Sequence, residues 1–358
     1  MGTKRAITNL PLHYGKAPAW LFSKMKSFAA AIMDVILMEF GERELLSRLS
    51  DPIWFQAMGC AAGFDWHSSG LTTTLCGALK EGLSLMGNDV PLAICGGKAR
   101  SAMATPKEIT LYGEKWGIDV KDFTQISRLC AKIDNAAVQD GYSLYHHTFI
   151  FTKEGDWAVI QQGMNKEKKD ARRYQWFSRK DLDMTCEPHT GITCDTRDKV
   201  LDLVAAESSG SRSAIVDFVK ENPDKMWRTW NDISLSMPKR HYITADDFDS
   251  NRLYKMFTIL YENQPESFKD LLNIKGVGPR TLSALSLVSE LVYDRPPSFQ
   301  DPARFSFTHG GKDGHPFPVD KKTYDKTIDV LRICVDKAKI GDREKIQAFK
   351  RLYMVYRK

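Results

Sequence analysis

Residues 271–285 have the sequence LLNIKGVGPRTLSAL, which predicts two helices joined by a tight glycine loop. Gly276 and Gly278 stand in this loop, where glycine permits a positive φ and lets a ligand approach the backbone closely. Pro279 follows at the first position of the second helix, where its missing N–H costs nothing. Leucine spacing on both sides predicts that the two helices, within residues 266–293, pack their apolar sides into a core.

The residues that border this loop indicate a function. The stretch resembles the helix-hairpin-helix motif, in which the first N–H groups of the second helix bind a DNA phosphate. Such a contact detects the DNA backbone and reads no base edge, so the implied binding is not sequence-specific. A plain turn between helices, without a ligand, is the alternative. The resemblance implies DNA contacts by Lys275, Gly276, Val277, Gly278, Arg280 and Thr281.

The positive charge of the chain is concentrated in two places. The net charge is +6, and the segment 321–358 alone carries twelve basic against five acidic residues. A second basic cluster, within residues 166–180, is interleaved with aromatic residues that can stack on unpaired bases. We therefore expect Arg172 and Arg173 to contact DNA, with an ordinary solvated surface as the alternative. Lys312, in the turn-rich segment 307–320, is a further candidate for phosphate or DNA contact.

The composition disfavours secreted and membrane proteins. Seven cysteines are scattered without regular spacing, which is typical of reduced thiols in a cytoplasmic protein. The first residues lack the pattern of a signal peptide, and the apolar run 28–38 is too short to span a bilayer. We expect a cytoplasmic protein that has no membrane partner.

The order of the predicted elements indicates an α+β fold. We expect a mixed α/β domain over residues 1–206 and an all-α, helix-hairpin-helix domain over residues 207–358, which ends in the basic segment. A Ser- and Gly-rich stretch at residues 206–212 marks the boundary. The residues Glu154-Gly155 predict a hairpin turn. Strands are predicted at residues 90–95, 144–152, 157–162 and 173–177.

Two loops in the first half carry residues suited to chemistry. Asp65 and His67 are candidates for metal ligands or an acid–base pair, and helix capping is the alternative. Lys98 and Arg100 follow a Gly-Gly pair after a predicted strand, so this loop is suited to hold a phosphate through N–H groups and two cations. It resembles the phosphate loop of the ParB/sulfiredoxin group, which includes nuclease-like members.

His147 lies in the first strand of the predicted hairpin. A loop centred on Glu154-Gly155 places His147 opposite Gln162, on the same face as Phe149. Since neighbouring residues point to opposite faces of a strand, His146 lies on the other face. His147 is therefore a candidate general acid, and a core histidine held by hydrogen bonds is the alternative.

Several phrases of the sequence resemble one uncharacterised prokaryotic family, domain of unknown function 763. The resemblance runs nearly end to end and implies a helix-hairpin-helix protein linked to DNA, with a ParB/sulfiredoxin-like nuclease domain as one candidate for its first half. The phrases are LPLHYG at 10–15, DPIWFQA at 51–57, FDWHSSG at 64–70, GGK at 96–98, HHTF at 146–149, QQGMN at 161–165 and the segment 307–319.

These observations favour a DNA-binding protein of genome maintenance or repair with a nuclease-type α/β domain. In that hypothesis Lys98 and Arg100 hold the phosphate, and His147 or His67 moves a proton. Asp65 orients the histidine or binds a divalent metal. DNA is the expected partner, and a homodimer is compatible with the sequence.

Two other functions remain open at this stage. A base-excision glycosylase needs a catalytic aspartate after the hairpin, and Asp301 is the best-placed candidate. A non-enzymatic DNA-binding module, gated by a nucleotide at residues 96–100, needs no catalytic residue.

Overall fold

The computed structural model describes residues 19–64, 69–87, 89–194, 197–236, 249–303, 321–338, 340–343, 345–346 and 348–350. The candidate residues Asp65, His67 and Lys312 lie outside these ranges. Helices and antiparallel strands both occur, so the α+β fold predicted from the sequence is confirmed.

In the described part of the chain, four helices precede the first strand. The start of the third follows from its sequence, because the Asp51 side chain accepts hydrogen bonds from the N–H groups of Ile53 and Trp54 at 2.8 and 3.0 Å. Every residue of this third helix is buried, so it lies inside the helical layer. The four are α1 (Ala19–Phe40), α2 (Glu42–Leu49), α3 (Pro52–Ala62) and α4 (Ser69–Leu83).

The described strands are β1 (Leu92–Lys98), β2 (Val138–Gln139), β3 (Ser143–Thr152), β4 (Trp157–Asn165), β5 (Asp170–Phe177), β6 (His189–Thr193) and β7 (Leu201–Asp202). A central antiparallel sheet has the order β1-β3-β4-β5-β6, and β2 pairs with β7 in a separate ribbon. The predicted strands are thus present, and each is longer than or shifted from its predicted range.

Helices cover both faces of the central sheet. Phe149 and Val159 contact a layer that includes α5 (Arg100–Trp116) and α6 (Lys121–Lys132). Ile150 and Ile160 contact the layer of α1 to α4. We call these the α5–α6 face and the α3–α4 face. Because side chains alternate along a strand, neighbouring residues of the sheet belong to different faces.

The second half of the described chain is helical. One apolar cluster joins Phe149 and Trp176 of the sheet to Phe218, Phe257 and Leu285, so a common core continues across residues 206 and 207. Among the described helices, none combines the length and the apolar character needed to cross a lipid bilayer. The helices are α7 (Ser209–Phe218), α8 (Pro223–Ser236), α9 (Ser250–Asn263), α10 (Phe268–Asn273), α11 (Pro279–Leu291) and α12 (Lys321–Lys337).

The predicted register of the β3–β4 hairpin is wrong by one residue. His147 lies opposite Gln161, and His146 lies opposite Gln162. The reason is the turn: the Thr152 N–H bonds the Asp156 carbonyl at 2.9 Å, and Gly155 has φ 104°, as in a three-residue loop. The prediction assumed an even-numbered loop.

Helix α5 follows β1 almost directly. It begins at Arg100 and contains Pro106. The Thr105 hydroxyl donates to the Ala102 carbonyl at 2.8 Å inside the helix instead of capping its start.

Gly96 offers a test of the packing between β1 and β3. A Cβ atom at Gly96 would lie 2.2 Å from the His147 carbonyl oxygen, and its φ of 90° disfavours other residues. Gly155 also has a positive φ, of 104°, but open space around it. We expect Gly96→Ala to lower the free energy of unfolding by about 2–4 kcal/mol and Gly155→Ala by about 1 kcal/mol. Urea unfolding measures both, and equal losses would contradict the close contact.

Candidate functional site

The loop between α10 and α11 has the predicted tight geometry at only one of its two glycines. Gly276 has φ 98°, in the region that favours glycine. A Cβ atom there would lie 2.7 Å from the Met256 side chain, which adds a second reason for glycine. Gly278 has φ −145° and ψ −173°, an extended conformation open to any residue. The expectation of a positive φ at Gly278 is therefore wrong.

The inner side of the loop is anchored by hydrogen bonds to Lys132 and Gln139. Val277 is buried, and its carbonyl accepts a hydrogen bond from the Lys132 ammonium group. The Gln139 amide donates to the Pro279 carbonyl at 2.8 Å and accepts from the Ser283 hydroxyl at 2.6 Å. These contacts hold the hairpin in one orientation on the segment that connects α6 with β2.

The outer side of the same loop is exposed and positively charged. Lys275 and Arg280 are exposed, and Gly278 and Thr281 are half-buried. Gly278 is the N-cap of α11 and provides no side chain to cap it. Because the first N–H groups of a helix have no intrahelical acceptor, those of Arg280 and Thr281 are available to an anion.

Arg172 does not belong to a DNA surface. Its guanidinium group is fully buried and pairs with Asp140 at 3.1 Å and with Asp301 at 2.8 Å. Burial alone would lower the pKa of Arg172, but the carboxylate of Asp140 holds that pKa well above its ordinary value. The predicted DNA contact of Arg172 is therefore wrong. The Asp301 carboxylate is likewise occupied by contacts within the chain, since it also accepts a hydrogen bond from the backbone N–H of Ala303 at 2.8 Å.

Arg173 is also buried, but on the α3–α4 face and without a carboxylate. Its guanidinium group donates to the Gln56 amide oxygen at 2.8 Å and to the Thr72 hydroxyl at 3.4 Å. Burial lowers the pKa of Arg173 to about 9. The predicted DNA contact of Arg173 on a solvated surface is wrong for this reason. The aromatic neighbours Tyr174 and Trp176 are buried too and do not offer a stacking surface.

His147 lies on the α5–α6 face with both ring nitrogens engaged. Its Nε2 lies 2.8 Å from the Ser127 hydroxyl, and its Nδ1 lies 2.8 Å from the Gln161 amide oxygen. The Gln161 amide in turn donates to Asp134. Burial lowers the pKa of His147, which favours the neutral ring. This is the geometry of a core histidine, which the sequence left open as the alternative to a general acid.

Asp134 is the common hydrogen-bond partner of several polar side chains on this face. Its carboxylate accepts from the Trp176 indole at 3.0 Å and lies 2.6 Å from the His189 Nε2 atom. Asp134 belongs to a π-helical turn (Ile133–Ala137) at the end of α6. Such turns are rare and often occur at functional sites.

The Gly96 backbone is already occupied within the chain. Its N–H donates to the Glu108 carboxylate at 2.7 Å, and its carbonyl accepts from the Lys80 ammonium group at 2.9 Å. Lys80 and Glu108 also pair with each other at 2.6 Å. The predicted phosphate loop is thus the end of an edge strand, covered by side chains from α4 and α5. Lys98 and Arg100 are exposed just beyond it.

A row of polar side chains crosses the α3–α4 face of the sheet. The backbone pairing places Lys98 next to His146, His146 next to Gln162, and Gln162 next to Arg173. Thr193 follows at the far end. We call these five residues the polar row. Burial lowers the pKa of His146 to about 3, and the nearby charges of His147 and Lys98 add to this effect.

His146 and Gln162 were not predicted from the sequence as members of a site. A signal was present, because three adjacent strands carry the polar pairs 146–147, 161–162 and 172–173. In each pair one side chain must point to each face of the sheet. A polar layer on both faces therefore follows from the pairs once the register is known.

The predicted catalytic residues are only partly brought together. Lys98 is the exposed end of the polar row and lies over the Tyr145 ring, with its ammonium group 5.8 Å from the ring centre. His147 lies on the opposite face, and Asp65 and His67 lie outside the described residues. Within the described ranges, no group of three His, Cys, Asp or Glu residues is arranged to hold a metal ion.

Comparison with known protein families assigns the chain to one of them. The model of the family described as "protein of unknown function (DUF763)" matches residues 6–319. The chain belongs to the DUF763 family. No curated protein and no solved structure matches it. The DUF763 match covers both the polar row and the α10–α11 hairpin, so both features lie in the part shared with the family.

The two adjacent arginines of β5 are expected to differ in their effect on stability. Arg172→Met leaves the buried carboxylates of Asp140 and Asp301 without their cation, which should cost about 3–5 kcal/mol of unfolding free energy. Arg173→Met removes a buried cation that has no carboxylate partner among the described residues, so it should cost less than about 1 kcal/mol or stabilise the fold. Urea unfolding of both variants measures the difference. A larger loss for Arg173→Met than for Arg172→Met would refute this assignment of partners.

Proposed function

We propose that this protein binds DNA through the hairpin of α10 and α11, by contacts with the phosphate backbone and without sequence specificity. The observation that carries the proposal is the uncapped start of α11 beside a glycine loop whose outer side is exposed. A phosphate at this position receives the N–H groups of Arg280 and Thr281 and the positive end of the helix dipole.

Charge around the loop supports this proposal. Lys275 and Arg280 flank the glycines and are exposed to solvent. The basic segment 321–358 lies elsewhere, since its helix α12 packs on α1 and α3, so the charge beside the loop comes from Lys275 and Arg280. Since the loop is held from below through Val277, little ordering is required when DNA binds.

The geometry favours backbone binding over base excision. A glycosylase needs a free carboxylate near the hairpin, whereas Asp301 pairs with the buried Arg172. Phosphodiester cleavage with a divalent metal stays a prediction that involves Asp65 and His67. Nucleotide gating at residues 96–100 is disfavoured because the Gly96 backbone is bonded to Glu108 and Lys80.

Gly278→Ala separates DNA binding from folding. The φ and ψ of Gly278 suit alanine, and the nearest atom to an added Cβ is the Gly276 oxygen at 3.9 Å. The methyl group is expected to obstruct the phosphate and to weaken duplex binding by about tenfold or more, as for the loss of a charge-assisted hydrogen bond. Fluorescence anisotropy with a labelled duplex measures affinity, and urea unfolding should show a loss of no more than about 1 kcal/mol, the cost of alanine at an N-cap. Unchanged affinity in a stable variant contradicts the proposal.

The double variant Lys275→Ala/Arg280→Ala tests the charge contribution. If both side chains contact phosphates, the slope of log K against log salt concentration should fall in magnitude by about 1.8. Lys153→Ala/Lys180→Ala is the matched control, since both lysines are exposed and lie where β3 and β5 end, away from the hairpin. An equal change in the control means that binding depends on net charge and not on the hairpin.

A further inference from the structure

Two adjacent arginines of β5 are both buried, and only one of them is neutralised. Arg172 has two carboxylates within 3.1 Å. Arg173 is fully buried among neutral partners, Gln56, Thr72 and the Phe55 ring. No carboxylate of the described residues pairs with it. A buried charge without a counter-charge is costly, so this arrangement is unusual for a purely structural arginine.

Unsatisfied polar atoms gather around Arg173 on the same face. Hydrogen-bond partners among the described residues are lacking for the Arg173 Nε, the His146 Nδ1, the Gln162 Oε1, the Gln175 Oε1 and the Thr193 Oγ1 atoms. Four of these residues are members of the polar row. Gln175 lies on the same face of the sheet, two residues after Arg173 on β5. Buried polar atoms in native proteins are nearly always satisfied, so five on one face require a common explanation.

The orientations of the two amides are fixed by other contacts. The Gln162 Nε2 donates to the Ser69 carbonyl at 3.0 Å, and the Gln175 Nε2 donates to the Leu49 carbonyl at 2.9 Å. Each amide oxygen therefore remains an acceptor. The His146 Nε2 lies 2.9 Å from the Thr148 hydroxyl; when it accepts from that hydroxyl, Nδ1 carries the proton. The face thus presents donors together with acceptors.

We propose that the polar row is the binding site of a monoanionic phosphate group, either inorganic phosphate as H₂PO₄⁻ or a singly protonated phosphate monoester. Its negative charge neutralises Arg173, and its oxygens accept from the Arg173 Nε and from the hydroxyl of Thr193, the residue paired with Arg173 on β6. Its P–OH group donates to an amide oxygen, which a halide or a sulfate dianion cannot do. The inference is independent of DNA binding by the hairpin.

The β1 end of the polar row provides the route of entry. Lys98 is exposed and Tyr145 is half-buried, whereas the other four members of the polar row are buried. The Tyr145 hydroxyl accepts a hydrogen bond from the Gln162 amide, so this ring lies between the exposed Lys98 and the buried part of the row. Lys98, next to the ring, attracts an anion to this end.

Calorimetry and thermal unfolding of the full chain in chloride buffer, with added sodium phosphate, test the proposal. Phosphate should bind and raise the melting temperature. Sulfate, which has the same shape but no proton, should bind about tenfold more weakly, because it leaves an amide oxygen unsatisfied. Comparing phosphate with a nucleoside monophosphate identifies which of the two sources is preferred. Absence of phosphate binding overturns the proposal, and equal affinity for sulfate overturns the role of the P–OH group.

Two variants locate the site. Arg173→Met should abolish phosphate binding and the rise in melting temperature, whereas the control Lys153→Ala should keep both. Gln162→Glu places a carboxylate opposite Arg173 and should abolish phosphate binding while it stabilises the ligand-free protein. This second variant keeps the test valid if Arg173→Met does not fold. Phosphate binding that persists in either variant overturns the assignment to the polar row.

Discussion

The antiparallel sheet is buried on both faces, and this constraint governs the rest of the structure. Neighbouring residues of a strand point to opposite faces, so the polar pairs 146–147, 161–162 and 172–173 each send one buried polar side chain into each layer. The α5–α6 face satisfies its share through Asp134 and Asp140. The α3–α4 face has no equivalent carboxylate among the described residues. Its buried polar side chains, which form the polar row, are therefore without a counter-charge.

One short segment links the sheet to the hairpin. Residues 132–139 include the π-helical turn, whose Asp134 accepts hydrogen bonds from the sheet residue Trp176 and from Gln161. Lys132 and Gln139, at the ends of the same segment, hold the backbone of the α10–α11 loop. The position of the hairpin is therefore set by hydrogen bonds of this segment, which also binds the α5–α6 face of the sheet.

The sequence predicted the α+β class, most strands and the α10–α11 hairpin, because periodicity, Gly276 and Pro279 act locally. The predicted register of the β3–β4 hairpin was wrong, because its loop has three residues and an even-numbered loop was assumed. The sequence also placed Arg172 and Arg173 on the surface. Their partners explain this failure: Asp140 and Asp301 lie 32 and 129 residues from Arg172 along the chain. A cluster of basic residues gives no local sign of such distant carboxylates.

The same distinction between surface and interior separates the two proposed anion sites physically. Lys275 and Arg280 are exposed, so dissolved salt screens their attraction for phosphate within a Debye length of about 8 Å at physiological ionic strength. Arg173 is enclosed by protein, where screening by mobile ions is weak. Raising the salt concentration with an inert electrolyte therefore weakens contact at the hairpin far more than at the polar row. The two proposals together therefore predict two phosphate-binding processes with unlike salt dependence, one at exposed cations and one at a buried cation.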